Sequence, residues 1–389
     1  MAKKWNFGAL FVCQESTFNV DPDADGSDYK HVKAAADAAF APSVAVVERD
    51  GLLESMARLA HVMGPKGGTL SFRLEMKGSG TPATSTATEA EAHEILEAVL
   101  GAPVVGVGTT VNDNSATASG FTVTSAAGLA VGMMVLVDCG ATYGFVPRFV
   151  TAIATNAVTL DRALPVAPAN AAVVHASTRY ARANSGQKSL AFVARRDDIL
   201  YTFTGCKLDS MAIESVEAGA IAALNMTFSC SSWSTFQKAS LPPTVLTGAT
   251  ATRPPVIRGA CFAYGGTEKP LYSLSFEFGL ATVFQDSTCA QGPGIAETVN
   301  AGFLTTQSRP TGSANVYSDA AFMADFATGA EKSLTFAAGG GAGNAWGLYI
   351  PRAQLTADGY EDRNGMVGEA LTYAVNENGS GVEYALSLA

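Results

Sequence analysis

The end of this chain repeats a stretch from its middle, and this repeat constrains the fold more than any other feature. Each run begins with Lys-Ser-Leu, continues through an apolar strand pattern, and reaches a glycine before a second apolar strand. The glycine follows the lysine by 31 positions in the first run (188 to 219) and by 33 in the second (332 to 365). A repeat of this kind predicts a stacked or ring-like array rather than a single pocket. The signature positions are Lys188, Leu190, Gly219, Lys332, Leu334 and Gly365.

A Leu-Ser-Phe strand precedes each run, at 69–72 and at 273–276, but the gap to the Lys-Ser-Leu is far longer in the first copy. Residues 106–176 account for the excess, since they carry few charges and several short β-type runs separated by Gly, Asn, Asp and Ser. We therefore predict a small all-β insert domain on a loop of the first copy. We expect it to face outward and to be dispensable for assembly.

The same plan of strands, one helix and further strands occurs in both copies. Residues 89–100 have an acidic first turn and an apolar face, and 319–327 form a weaker counterpart ended by Gly329. The Asn-Gly pairs at 364–365 and 378–379 predict hairpins. The sequence thus predicts a mainly β chain of two tandem β-barrel or sandwich domains, each with one helix. The boundaries are 1–240, a Pro-rich linker at 241–256, and 257–389.

Composition narrows the function classes. The chain has 389 residues, 15% charged, and a net charge of −10. Scarce charge indicates that partners cover much of the surface, and the negative balance argues against a tight grip on nucleic acid. No apolar segment is long enough to span a membrane, so no membrane partner is expected. The six scattered cysteines are typical of buried thiols in a reducing cytoplasm rather than disulfides.

No catalytic or cofactor-binding motif is evident, so we expect a protein that is not an enzyme and needs no cofactor. The four histidines share no ligand spacing, and His93 is expected to be solvated. Asp21, Asp23 and Asp25 match the start of a calcium loop, but Val32 occupies the position of the bidentate glutamate. We favour an exposed acidic loop, in which Asn at all three positions leaves the melting temperature unchanged with or without calcium.

Three segments carry a resemblance to a known family: 188–232 above all, then 68–81, and the Glu-Ser-Thr-Phe arm at 15–18. Their pattern resembles the tail tube, or major tail, proteins of siphophages, which have long non-contractile tails. It covers both copies and includes no invariant catalytic residue. The resemblance implies tail-tube-like domains that form rings stacked into a tube. The duplicated type forms homotrimers with pseudo-sixfold symmetry.

The resemblance also implies a structural protein of the bacteriophage virion. It would be assembled in the bacterial cytoplasm, associate with itself, and contact other tail proteins at the tube ends. DNA would pass through during ejection without tight binding. Two alternatives remain: another tube or ring protein (type VI secretion tube-like or terminator-like), and a secreted β-rich adhesin subunit. Cell context would distinguish the first alternative from a tail tube protein. A cleaved N-terminus or disulfides would favour the second alternative.

Overall fold

The computed structural model describes residues 8–35, 37–48, 60–83, 89–196, 199–235, 238–242, 251–257, 261–286, 300–317, 319–341, 343–363, 365–379 and 381–389. These residues are mainly β, as the sequence predicts, with two short helices. The elements before residue 240 are β1 (Gly8–Gln14), β2 (Lys30–Val32), β3 (Ala39–Val47), β4 (Val62–Glu75), α1 (His93–Leu100), β5 (Thr109–Thr110), β6 (Gly120–Thr122), β7 (Met134–Asp138), β8 (Phe145–Ala154), β9 (Ala157–Leu160), β10 (Val173–Ala176), β11 (Thr178–Ala181), β12 (Leu190–Arg196), β13 (Ile199–Glu217) and β14 (Ala223–Ser234). Those after it are β15 (Cys261–Tyr264), β16 (Thr267–Glu268), β17 (Leu271–Glu277), β18 (Leu280–Asp286), β19 (Asn300–Gln307), β20 (Thr311–Tyr317), α2 (Ala320–Thr328), β21 (Glu331–Gly341), β22 (Asn344–Arg363), β23 (Met366–Asn376) and β24 (Ala385–Leu388).

The two parts of the chain have the same strand order. The first runs β2-β1-β12-β13-β14-β4-β3, and the second runs β16-β15-β21-β22-β23-β20-β17. Each contains one very long strand, β13 or β22, which takes part in two layers of the structure. Gly219 and Gly365 both have positive φ, +88° and +83°, in the turns after these strands. Asn364 lies outside the described residues.

This topology changes the alignment of the copies. We matched the strand at 69–72 with that at 273–276, and this is wrong, because β20 rather than β17 is the counterpart of β4. The correct counterpart of β17 is β3. Each long strand also has three register shifts in its ladders. When the shift in the β12–β13 ladder is matched with the first shift in the β21–β22 ladder, Leu190 corresponds to Lys332. The sequence alignment of Lys188 with Lys332 is therefore wrong by two residues.

Alternation along the strands separates an apolar core face from a polar face. In β14, Leu224, Met226 and Phe228 are buried and the residues between them are partly exposed. The core face is covered by β1 and β12 and by α1, and Phe72 on β4 meets Phe192 on β12 at 5.7 Å. The repeat leucines, Leu190 and Leu334, are both in this core.

The helices differ from prediction at one end. The second begins at Ala320 after an Asp319 N-cap and ends at a left-handed Gly329, as expected. The first begins at His93, four residues late, because Glu91 is held by the buried Lys77 ammonium at 2.7 Å. The prediction of a solvated His93 is wrong. Its ring is buried and lies 2.8 Å from the Tyr180 hydroxyl, since that side of the helix packs on β11.

Two further predictions are corrected by strand pairing. Cys206 and Cys230 lie opposite each other on β13 and β14 and form a disulfide, which the sequence spacing does not reveal. Cys13 and Cys139 are free thiols, while the Cys261 side chain and Cys289 lie outside the described part. The turn at 378–379 does not close a hairpin, because β24 pairs with β11 and β22 rather than with β23.

The region 109–176 forms its own six-stranded sheet, in the order β5-β10-β7-β8-β9-β6, around a separate core. It also packs on the second copy, and its outward position and dispensability for assembly stay predictions. Phe149 is fully buried there and stacks on Tyr349 at 5.8 Å. The Met134 backbone N–H donates to Ser387 Oγ at 3.1 Å. The insert of one copy thus covers apolar surface of the other.

We expect Phe149→Ala to destabilise the chain by about 3–5 kcal/mol, because it leaves a cavity between the insert and β22. Urea unfolding followed by tryptophan fluorescence, which includes the second-copy Trp346, would measure this. Tyr143→Ala, at a 53% exposed site of the same insert, is the control. Equal stability of the two variants would contradict this role of the insert.

Candidate self-association surfaces

The two copies are joined by direct strand pairing. We call residues 212–217 the outer half of β13; it pairs with β17, while the inner half pairs with β12. Ile213 lies opposite Phe276 and Val216 opposite Leu274, and all four are 1% exposed. We call this contact the internal junction. It merges the copies into eight consecutive strands, β3-β4-β14-β13-β17-β20-β23-β22, which we call the shared sheet.

A hairpin of the second copy closes over the internal junction. The chain turns away from β17 at Gly279, whose φ of +63° lies in the left-handed region. The hairpin β18–β19 then lies on the first copy, where Thr282 Oγ1 donates to the Leu208 carbonyl at 2.8 Å. The Lys207 ammonium lies 3.4 Å from the Phe303 ring centre, and Phe18 is 5.4 Å from the same ring. Both main-chain and side-chain contacts therefore hold the copies together.

The two ends of the shared sheet lack such a partner in the described part of the chain. β21 follows β22 only as far as Gln354, so one edge of residues 357–363, the outer edge of β22, is unpaired. At the other end, β3 pairs with β4 alone. Pro42 within β3 is typical of an edge strand. By topology, β22 and β3 are the counterparts of β13 and β17, the two strands that meet in the internal junction.

Exposed apolar side chains cluster near these two ends. Val46, Val62 and Met63 are 54%, 50% and 68% exposed beside β3, and Met366 and Val367 are 50% and 58% exposed at the β22–β23 tip. Clusters of this kind mark interaction surfaces more often than scattered single residues do. Unpaired strand edges flanked by apolar side chains are suited to strand addition.

The face of the shared sheet opposite the core face is polar. It carries small hydroxyl and amide side chains, some bonded to each other across strands, such as Ser275 Oγ and Ser313 Oγ at 2.7 Å. Arg73 is balanced by Asp37 at 2.7 Å and Glu214 at 3.7 Å. Residues lining the two broad grooves of this face include Ser71, Arg73, Ser210, Glu214, Asn225, Thr227, Ser275, Glu277, Ser313 and Thr372.

Acidic groups also lie at the outer edge of β22. Residues 357–363 contain Asp358, Glu361 and Asp362 against the single Arg363. Burial raises the pKa of Asp358, and neither of its carboxylate oxygens has a hydrogen-bond partner in the described structure. The equivalent stretch of β13 pairs with β17, and it contains Ala212, Ile213 and Val216 beside two acidic residues, Glu214 and Glu217.

The residues singled out from the sequence lie mostly away from these surfaces. Lys188 donates to Gln14 Oε1 at 2.8 Å, and Lys332 lies 3.8 Å from Asp325. Lys188 and Lys332 thus make local side-chain contacts at places that are two residues out of structural register. The residues of the internal junction were missed. Alternation in 271–277 was visible, but no sequence signal indicates which strand lies beside it.

The acidic loop is tied to the rest of the chain by a lysine. The Lys238 side chain is 2% exposed, and its ammonium contacts the Asp21 carboxylate and the Asp23 carbonyl oxygen. Tyr29 donates its hydroxyl to Asp21 at 3.0 Å. Among the described residues, no group of three or more His, Cys, Asp or Glu side chains could hold a metal ion. Asp21 thus has a structural contact that the sequence did not predict, while the unchanged melting temperature expected for the triple Asn variant stays a prediction.

We expect Asp21→Asn to destabilise the protein by about 1–3 kcal/mol, because it weakens a charge-assisted bond to a buried ammonium. Thermal unfolding with and without calcium would measure this, with Asp28→Asn as the matched exposed control. A melting temperature equal to that of the control would contradict the structural role. A calcium-dependent rise lost only in Asp21→Asn would show a metal site instead.

The chain was compared with protein-family models and with characterised proteins. No family model matches it, and no curated protein matches it. In the portion of the chain that the structure describes, neither helix has the length and apolarity needed to cross a membrane.

Proposed function

We propose that this chain is the structural subunit of a ring that stacks into a tube. The observation that carries the proposal is the internal junction, where the β13 edge of one copy receives the β17 edge of the next. Their counterparts, β22 and β3, form the two ends of the shared sheet, where the outer edge of each has no partner strand among the described residues. A contact between two different surfaces generates a ring when its rotation closes and an open helical filament when it does not.

A ring of three chains contains six copies of the repeated domain, which gives it pseudo-sixfold symmetry. Each chain contributes eight strands of the shared sheet, so three chains contribute 24. At a strand spacing of about 4.8 Å the closed barrel would have a diameter of about 37 Å before strand tilt. Barrels of 16–18 strands already leave an aqueous channel. The ring would therefore be wide enough to admit a DNA duplex, and closure would remove both exposed edges.

The polar face fits the inside of such a channel. The opposite face is covered by other layers of the same chain, which would form the outer wall. Small neutral side chains and carboxylates offer no row of cations for phosphate groups, and Arg73 is already balanced by two carboxylates. A trimer would carry a net charge of −30, three times −10. DNA would pass without the counterion release that tight binding requires.

These features support the tail tube protein of a long-tailed phage as the specific role. In that role the protein belongs to the virion and is assembled in the bacterial cytoplasm, whereas the Cys206–Cys230 disulfide is the feature that favours the secreted alternative. It associates with itself in rings, contacts other tail proteins at the tube ends, and conducts DNA during ejection. No catalytic step is part of this proposal.

The test is the mass and symmetry of the purified assembly. We expect rings of three chains that look sixfold at low resolution, and tubes built from them. The double change Met366→Asp and Val367→Asp should yield folded monomers, because it places charge at the exposed β22–β23 tip. Val131→Asp, at a 38% exposed site on the insert, is the control and should leave rings intact.

Two results would contradict the proposal. One is a parent protein that stays monomeric at high concentration under all salt conditions. The other is salt-sensitive binding of a fluorescent duplex with the steep slope of a multi-phosphate contact. Six chains per ring would refute the trimer while leaving the tube in place.

A further inference from the structure

Matching rows of side chains allow the two copies to be aligned residue by residue. In the first copy, paired residues run across the sheet from β13 to β3, and in the second from β22 to β17. Each row begins immediately before a register shift in its long strand. The first row is Leu208, Phe228, Leu70 and Phe40, and the second is Leu355, Tyr373, Gly312 and Phe276.

This alignment identifies counterparts at the internal junction. Phe276 ends its row, so its counterpart is Phe40. Ile213, the residue opposite Phe276, is five positions after Leu208, and the residue five positions after Leu355 is Tyr360. Ile213 is 1% exposed because β17 covers it, whereas Tyr360 is 63% exposed on a strand with an unpaired edge.

Phe40 carries a cation on its ring. The Arg196 guanidinium lies 5.0 Å from the Phe40 ring centre, and its Nη2 donates to the Ala38 carbonyl at 2.9 Å. Arginine has five N–H donors and a flat face that stacks on aromatic rings. The β3 end of the shared sheet therefore presents an aromatic ring and a positive charge together. The acidic outer edge of β22 is complementary to it.

We propose that Tyr360 of one subunit lies opposite Phe40 of the neighbouring subunit and packs against that neighbour's Arg196. The occupant of the outer edge of β22 is thus β3 of a second copy of this chain. The inference rests on the proposed ring and adds the residues that determine its formation.

The residue types at positions 213 and 360 fit the internal junction and the proposed contact between subunits, respectively. The internal junction forms as the chain folds, so an isoleucine suffices at position 213. The outer edge of β22 must remain soluble before assembly and then become buried. Tyrosine suits this position because its ring buries apolar area while its hydroxyl can stay hydrated. Tyrosine and arginine are also the residues on which binding energy concentrates at interfaces.

The experiment measures the protein concentration for half-maximal ring formation by mass photometry, with monomer melting temperature as the folding check. Tyr360→Ser should raise that concentration about tenfold or more without lowering the melting temperature. Tyr360→Phe should stay within about threefold of the parent, since the ring is retained. Tyr143→Ser, at another exposed tyrosine, is the matched control.

A double-variant cycle tests the pairing itself. Arg196→Gln should weaken assembly severalfold, and adding Tyr360→Ser should cost much less than it does in the parent. A Tyr360→Ser variant within twofold of the parent, or full additivity with Arg196→Gln, would overturn the contact while parent rings keep the proposed function. A parent that never forms rings would overturn both.

Discussion

Strand pairing between β13 and β17 is the contact on which the rest of the structure depends. It makes one continuous sheet from two copies, and it fixes which edges remain at the ends of that sheet. Because backbone groups at an unpaired edge are ready to pair with another strand, the proposed contact between chains would have the geometry of the internal junction. In the proposed ring, the chain would thus contain one formed junction and the two halves of another.

The two faces of the shared sheet have different surroundings. The core face is sealed by β1, β12, α1 and their counterparts, and the insert adds a further layer over β21 and β22. The opposite face is polar and contains the two broad grooves. A sheet with one apolar and one polar face needs water on one side only. In a closed ring, that wetted side lines the channel.

The sequence predicted the β class, the second helix and the existence of a repeat, because these depend on local patterning. The repeat was aligned wrongly, since Leu-Ser-Phe occurs in both β4 and β17 while only strand order shows that β3 is the partner of β17. Long-range pairing also explains the missed Cys206–Cys230 disulfide and the buried His93. Lys238 is remote in sequence from the acidic loop that it neutralises, so spacing alone could not reveal the contact. Tyr360 had no local signal of its own and became visible only by comparison with Ile213.

Amide hydrogen exchange, compared between free subunits and assembled protein, tests the central claim most directly. The account predicts that residues 357–363 of β22 and 39–47 of β3 exchange quickly in free subunits and become protected on assembly. Residues 212–217 of β13, already paired with β17, should be protected in both states and are the internal control. Assembly that leaves exchange in 357–363 and 39–47 unchanged would show that subunits meet elsewhere and would contradict the account.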